Sequence, residues 1–232
     1  MLCFKPLFLT MKILLFLLSL GSLHVCETNS AIPQEENVMQ KDILNLVRKN
    51  DLDAVKFALV NGAGVNTQDK NGRSLLLIAT VNKQTEMAKL LVHFKADVNL
   101  QDDRLDSAFL YAGASGQTDL VKLFLGSGAR FDVFNRYNGT ALIPACERGH
   151  VETVMVLAGT KGFPVDHVNR LVWTALLEAV ILGDGSLKYQ KIVQILKNHG
   201  ARLDIPDKEG KTALQHAEEK GFRAIAFILK SR

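Results

Sequence analysis

A repeated pattern runs through most of this chain of 232 residues. A Ser or Thr that opens a short apolar stretch recurs at nearly even spacing, at Ser74, Ser107, Thr140, Thr174 and Thr212. Five residues after each of them comes an alanine, at Ala79, Ala112, Ala145, Ala179 and Ala217. The period is about 33 residues, with a longer last interval, and a fixed period of this length indicates a solenoid, in which each unit packs mainly against its two neighbours.

The residues of one unit predict two helices. Ser or Thr at a helix start can accept a backbone N–H, and a small alanine lets helices of adjacent units approach closely. The stretches 120–125 and 192–196 are apolar on most faces, which is typical of helices packed between repeats. Glycines after the predicted helix ends favour the left-handed backbone that often terminates a helix, at Gly62, Gly128 and Gly200.

This pattern resembles the ankyrin repeat, whose unit is a β-turn and two antiparallel helices with Thr-Pro-Leu-His opening the first helix. The five copies read SLLL at 74–77, SAFL at 107–110, TALI at 140–143, TALL at 174–177 and TALQ at 212–215. The hydroxyl and the third, apolar position are retained, whereas the Pro and the His are absent. The resemblance implies an all-α solenoid with β-turn or hairpin tips, and we expect a bacterial member of that family.

The predicted domain is uneven at its ends and in two loops. We expect an ankyrin-repeat domain over 41–232, with a partial cap at 41–68 and repeats at about 69–101, 102–134, 135–168, 169–206 and 207–232. One extra residue falls near 158–161, and five fall in 183–189, where Gly, Asp and Ser indicate a loop. Insertions in a solenoid map to loops on one face, often the binding face, and neutral variation of an exposed loop is the alternative.

The N-terminus predicts an export signal. Lys12 precedes the apolar stretch 13–20, and small and polar residues follow, which is the pattern of a signal peptide over 1–30. The apolar stretch is short for a membrane span, so we expect none in the mature chain, and 31–40 would be a flexible lead-in. Translation from Met11 and lipidation at Cys26 are alternatives that the residues leave open. We expect a periplasmic or secreted protein.

Few residues suggest chemistry. The formal net charge of +4 is too balanced to indicate a nucleic-acid partner. The histidines have no zinc-site spacing, there is no glycine-rich phosphate loop, and we expect no metal and no cofactor. Cys146 lies beside Ala145 and is interpreted as a packed thiol, with a catalytic role as the alternative. Asn138 begins a glycosylation sequon, but Asn-Gly is also natural turn chemistry.

In the ankyrin family, partners usually bind the concave side, which is built from the turn tips and the exposed residues of the first helices. Cations recur at the predicted tips, together with Tyr137 and Trp173, the only tryptophan. Arg, Tyr and Trp are enriched in binding hot spots. The candidate partner-binding residues are Asn71, Arg73, Arg104, Asp106, Arg136, Tyr137, Arg170, Trp173, Lys208 and Lys211.

The sequence therefore predicts a non-catalytic module that binds another protein through its concave face. The expected partner surface is acidic and partly apolar, because four of the tip cations are arginines, which can pair bidentately with carboxylates. The alternatives are an enzyme or enzyme-cofactor protein with its site at 183–189, and an envelope lipoprotein.

Overall fold

The computed structural model describes residues 42–231, which form a stack of paired helices. Helix α1 covers residues 42–48. The others are α2 (Leu52–Val60), α3 (Leu75–Val81), α4 (Thr85–His93), α5 (Ala108–Ala114), α6 (Thr118–Leu125), α7 (Leu142–Glu147), α8 (Val151–Ala158), α9 (Ala175–Ile181), α10 (Leu187–Asn198), α11 (Ala213–Glu219) and α12 (Arg223–Lys230). First helices pack on first helices (α3, α5, α7, α9, α11) and second helices on second helices (α2, α4, α6, α8, α10, α12). The result is the expected two-layer helical solenoid.

Four of the five predicted helix starts are confirmed. The hydroxyls of Ser74, Ser107, Thr174 and Thr212 each accept the backbone N–H three residues later. Such caps satisfy an otherwise unpaired donor of the first helical turn.

Thr140 differs from the other four, and its prediction as a helix start is corrected. Helix α7 begins at Leu142, and the buried Thr140 Oγ1 has no hydrogen-bond partner among the described residues. In the other copies the capping residue's carbonyl accepts the N–H four residues later, as Ile78 donates to Ser74. The corresponding residue here is Pro144, which has no N–H to donate, so the helix starts later.

The predicted alanines are buried and the predicted glycines have the left-handed backbone. All five alanines are fully buried on the first helices. Gly62, Gly128 and Gly200 have φ angles of 94°, 89° and 83°. Lys83 stands where other copies have a glycine between the two helices, and it adopts the same left-handed backbone with φ 56°.

Each turn tip is closed by an Asp or Asn that the sequence reasoning did not single out. Its side-chain Oδ1 accepts two backbone N–H groups, two and four residues later, which fixes the loop as an Asx turn. These residues are Asp69, Asp102, Asn135, Asn169 and Asp207. Neighbouring tips are linked through the backbone, as where Arg170 N–H donates to the Tyr137 carbonyl at 2.9 Å. The signal was present, since these five residues share the period of the repeat.

The tips contain almost no regular β-structure. Over residues 42–231 the chain forms no named strand, and one isolated antiparallel bridge joins Gln68 to Ser74. The all-α fold class is therefore confirmed for the described residues.

The insertion in the fourth repeat is only partly a loop, which corrects the prediction for 183–189. Residues 182–186 connect α9 to α10, and residues 187–189 already form the first turn of α10, which has 12 residues against 8 in α6 and α8. The reason is Tyr189, which is buried and donates its hydroxyl to the Glu147 carbonyl at 2.7 Å. This contact with the preceding repeat holds the additional helical turn in the stack.

The predictions for positions 1–41 lie outside the described part of the chain. They include the signal peptide at 1–30, the lead-in at 31–40, Met11 as a start and Cys26 as a lipidation site. Among residues 42–231, none of the helices is both long and apolar enough to cross a membrane.

Candidate functional site on the turn tips and first helices

Two hollows lie between the turn tips and the exposed sides of the first helices, the surface predicted to bind a partner. The first hollow, of about 410 Å³, lies between repeats one and two. Its lining includes the tip residues Asn71, Arg73, Arg104 and Asp106 and the helical residues Leu77, Val81 and Tyr111. The second hollow, of about 330 Å³, lies between repeats three and four. Its lining includes Arg136, Tyr137, Leu171, Ile143, Pro144, Glu147, Arg148, Glu178 and Leu182.

The structure divides the predicted partner-binding residues into three groups. Asn71, Arg73, Arg104 and Asp106 come together in the first hollow. Arg136 and Tyr137 line the second hollow. The remaining four lie on the tips of repeats four and five and line neither of these hollows: Arg170, Trp173, Lys208 and Lys211. The set therefore lies along one row of tips without forming one continuous pocket.

Two of the four predicted tip arginines are already held by carboxylates. Arg73 donates to Asp69 Oδ2 from Nε at 3.0 Å and from Nη2 at 2.7 Å, and the hydrogen bond to Arg73 helps to lower the pKa of Asp69 against the opposing effect of burial. Arg136 lies 3.5 Å from Asp106, and its guanidinium lies 4.7 Å from the Tyr137 ring centroid. Burial, followed by the charge of Asp102, raises the pKa of Asp106. These arginines are pre-positioned but partly neutralised.

Other tip cations remain without a carboxylate partner among the described residues. Arg104, Arg170 and Lys208 are exposed and make no ion pair there, whereas Lys211 pairs with Glu219 at 2.7 Å. The predicted arginines also occupy different places in the turn. Arg136 and Arg170 lie four residues before the repeat's Thr, Arg104 lies three before its Ser and Arg73 one before. They form a row along the tips, not a ladder of equivalent positions.

The two predicted aromatic anchors differ in accessibility. Tyr137 has 52% of its surface exposed. Trp173 is partly buried and packs against the hydrophobic core, and its backbone N–H donates to Asn169 Oδ1. Tyr137 is therefore the better placed of the two to contact a partner.

Most residues that line the second hollow were not in the predicted set, and three of them are informative. Leu171 and Leu182 each have 48% of their surface exposed, and Glu178 is buried on α9. Leu171 occupies the same turn position as Tyr137, one repeat later. An apolar residue at an exposed tip could therefore have been predicted as a binding residue from the sequence. Glu178 occupies the helix position that is Ile78, Tyr111, Pro144 and His216 in the other copies. A carboxyl group at this position is unusual within the chain and could also have been singled out from the sequence.

The positions that could have carried chemistry are either packed, as Cys146 is, or held by local contacts in the exposed insertion. Cys146 is fully buried, and burial, followed by the charge of Glu178, raises the pKa of its thiol, which agrees with the packed-thiol interpretation. In the insertion, Asp184 Oδ1 accepts the Ser186 N–H at 2.9 Å, and a Cβ on Gly183 would lie 2.8 Å from the Tyr189 ring. Across residues 42–231, no group of three or more His, Cys, Asp or Glu side chains is placed to hold a metal ion.

Comparisons with known proteins agree with this architecture. The family described as "Ankyrin repeats (3 copies)" matches residues 43–135 and 109–205. The YahD protein of Escherichia coli (strain K12), whose name assigns it to the ankyrin-repeat proteins, is 36% identical over 188 residues, covering 81% of this chain and 94% of YahD.

Solved structures give the same result. An ankyrin repeat domain from Acinetobacter baumannii AYE superposes with a TM-score of 0.79 at 43% identity, covering 82% of this chain and 96% of that chain. The ankyrin repeat protein EF0377 superposes with a TM-score of 0.78 at 39% identity, covering 81% of this chain and 95% of that chain.

Proposed function

The chain belongs to the ankyrin-repeat family, and from that premise we propose that it binds another protein through the concave face formed by its turn tips and first helices. Ankyrin repeats are typically protein-interaction modules without catalysis of their own. The observation that carries the proposal is the row of accessible tip residues beside the two hollows. Unpaired cations and exposed apolar groups, such as Arg104 and Tyr137, occur there together. Interfaces combine such anchors with a polar rim.

The partner in this proposal presents acidic groups to the tips and apolar groups beside them. Arg104, Arg170 and Lys208, which make no ion pair within residues 42–231, supply the positive charge. Tyr137 and Leu171 supply the apolar contact. Charge on an exposed rim acts mainly on the association rate, so association should slow as the salt concentration rises.

The test compares two variant sets against a partner captured with the full chain and identified by mass spectrometry. The tip set is Arg104→Ala, Tyr137→Ala and Leu171→Ala, and the control set is Lys56→Ala, Lys89→Ala and Lys122→Ala, on exposed sites of the second helices. We expect the tip set to weaken binding at least about 30-fold, as loss of a hot-spot aromatic does, and the control set to change it less than about 3-fold. Loss of binding in the control set with the tip set unaffected would reject the concave-face assignment. Trp173 is left out because its packing would confound the result.

We further propose that the protein is exported, to the periplasm or outside the cell. The support is the sequence pattern of positions 1–30, a charged start followed by a short apolar stretch. N-terminal sequencing of the protein from its native cell should begin between Cys26 and Pro33. A chain that retains Met1 or Met11 would contradict export, and palmitate labelling would favour the lipid-anchored alternative.

A further inference from the structure

The second hollow differs from the tips because two carboxyl groups line it. Of its two cations, Arg136 lies 3.5 Å from Asp106, whereas Arg148 donates to the Ala114 carbonyl at 2.7 Å, which holds its guanidinium without neutralising it. Its two carboxyl groups, Glu147 and Glu178, make no ion pair among the described residues. The hollow therefore presents two carboxyl groups that no cation among the described residues pairs with at ion-pair distance.

Glu178 is the most constrained of these groups. Only 5% of its surface is exposed, and its Oε1 accepts a hydrogen bond from Asn169 Nδ2 at 2.9 Å. Asn169 is itself fixed, because its Oδ1 accepts the N–H groups of Leu171 and Trp173. The second carboxyl oxygen of Glu178 has no hydrogen-bond partner among the described residues, and the side chain lines the hollow. This oxygen is open to the hollow and can accept a hydrogen bond from a donor that enters it.

The walls of the hollow suit a long aliphatic stem with a polar end. Ile143, Leu171 and Leu182 contribute apolar surface, and Tyr137 lies at the exposed edge. Lys and Arg side chains bury their methylene groups along such surfaces while the charged end reaches a polar partner. A hollow of about 330 Å³ is at the lower end of small-molecule sites, which favours one side chain over a large cofactor.

We propose that the second hollow receives a lysine or arginine side chain of the protein partner, with its cationic end between Glu147 and Glu178. This inference rests on the proposed function and adds a basic residue to the otherwise acidic surface expected of the partner. A cation there would donate to the free acceptor of Glu178 and favour the ionised form of this carboxyl group beside Glu147. An anionic side chain would meet two carboxyl groups in the hollow, and Arg136 beside it is already paired with Asp106.

The test is an NMR titration of the ¹⁵N-labelled full chain with capped amino acids. The cationic probes are Nα-acetyl-lysine methylamide and Nα-acetyl-arginine methylamide. Nα-acetyl-norleucine methylamide is the neutral control and Nα-acetyl-glutamate methylamide the anionic control. We expect at least one cationic probe to shift the amide signals of Tyr137, Leu171 and Glu178 with a dissociation constant on the order of millimolar. Both controls should bind at least about 10-fold more weakly, since they lack the charge.

Variants assign the effect to the carboxyl group. Glu178→Gln keeps an oxygen that can accept from Asn169 but removes the carboxyl group. We expect it to lower the affinity for the cationic probe at least about 10-fold, while the thermal melt stays cooperative. Glu152→Gln, on an exposed site of α8, is the matched control and should leave the affinity unchanged. Equal binding of norleucine and lysine probes, preference for the glutamate probe, insensitivity to Glu178→Gln, or no shift at the hollow would each overturn the inference.

The two proposals fail in different ways. If no cationic probe binds but the tip set still loses the captured partner, the basic-side-chain inference is wrong and concave-face binding stands. If the second-helix lysines carry the binding, concave-face binding is wrong, whatever the probes show.

Discussion

Glu178 shows how one side chain can couple the stability of the stack to pH. It is buried, and desolvation followed by the charge of Glu147 raises its pKa from 4.5 to about 7, against the opposing hydrogen bond from Asn169. The folded protein therefore holds this proton more tightly than the unfolded chain does. Such a group stabilises the fold while it is protonated, and the stability is lost as pH rises through the interval between the two pKa values.

We predict that Glu178→Gln removes this dependence. The free energy of unfolding of the wild-type protein, relative to that of the variant, should fall by roughly 2 kcal/mol or more between about pH 4.5 and pH 8, since one pKa unit corresponds to about 1.4 kcal/mol. Urea titrations of both proteins at several pH values measure the difference, and Glu152→Gln serves as the control. A wild-type-to-variant difference that stays constant with pH would show that Glu178 titrates normally.

Gly113 is a second position where a single atom matters, because α5 approaches the start of the next repeat there. A Cβ on Gly113 would lie 2.7 Å from Ala141 Cβ and 2.9 Å from the Ala141 carbonyl oxygen. The obstacle is largely main chain, so it cannot move aside as a flexible side chain can. The close approach of neighbouring first helices depends on this missing methyl group.

Gly113→Ala should therefore destabilise the protein by about 1–3 kcal/mol, as overpacking does, although alanine is the better helix former. Gly126 provides the comparison, since a Cβ there would meet nothing closer than carbonyl oxygens at 3.6 Å and the backbone is right-handed. Gly126→Ala should be neutral or stabilising by up to about 1 kcal/mol. Thermal melts of the two variants that shift by the same amount would refute the packing account.

At the scale of elements, the five turn tips share one backbone geometry, although the residues that adopt it differ. The residue two before the repeat's Ser or Thr has positive φ in every tip, at Gly72, Leu105, Asn138, Val172 and Gly210. Glycine and asparagine suit this conformation, whereas a β-branched residue does not. Val172 adopts φ 62° with 41% of its surface exposed, so it bears backbone strain with little burial in return.

Val172→Asn should stabilise the protein by about 1 kcal/mol, because the left-handed conformation costs a typical residue about 1–2 kcal/mol and asparagine less. The same change at Val133, which packs against the core without positive φ, should destabilise it. Differential scanning calorimetry of both variants measures the two shifts. A loss of stability in Val172→Asn would mean that the valine side chain contributes more than the strain costs.

At the scale of the whole molecule, each repeat is stabilised by its neighbours. Helix α6 packs against α4, α5 and α8, whereas α12 packs against α10 and α11 at the end of the stack. Phe124 in α6 is completely buried, while Phe227 in α12 is largely exposed. In a quasi-one-dimensional fold, the end units open more easily than the central ones.

Native-state hydrogen exchange should reveal this gradient. We expect the amides of Leu123, Phe124 and Leu125 to exchange only on global unfolding, and those of Ile228, Leu229 and Lys230 at least about 10-fold faster. Phe124→Ala should lower protection throughout the stack, and Leu229→Ala mainly in the last repeat. Uniform protection across both regions would indicate a single cooperative unit.

The sequence by itself determined the repeat register, and with it the fold. Four helix starts, the buried alanines and the left-handed glycines follow from local chemistry that recurs every repeat, and the family resemblance agreed with them. The five Asx turns had the same period and could have been read in the same way. Local rules suffice here because each capping bond or turn joins residues no more than four apart.

The tertiary structure decided the features that depend on contacts between repeats. The insertion became a helical turn because Tyr189 bonds to Glu147 in the preceding repeat. Arg136 was partly neutralised by Asp106, which also belongs to the repeat before it. The second hollow arose because the tips and first helices of repeats three and four enclose Glu178. Such contacts depend on the distance and orientation of packed units, which the repeat period constrains but does not specify.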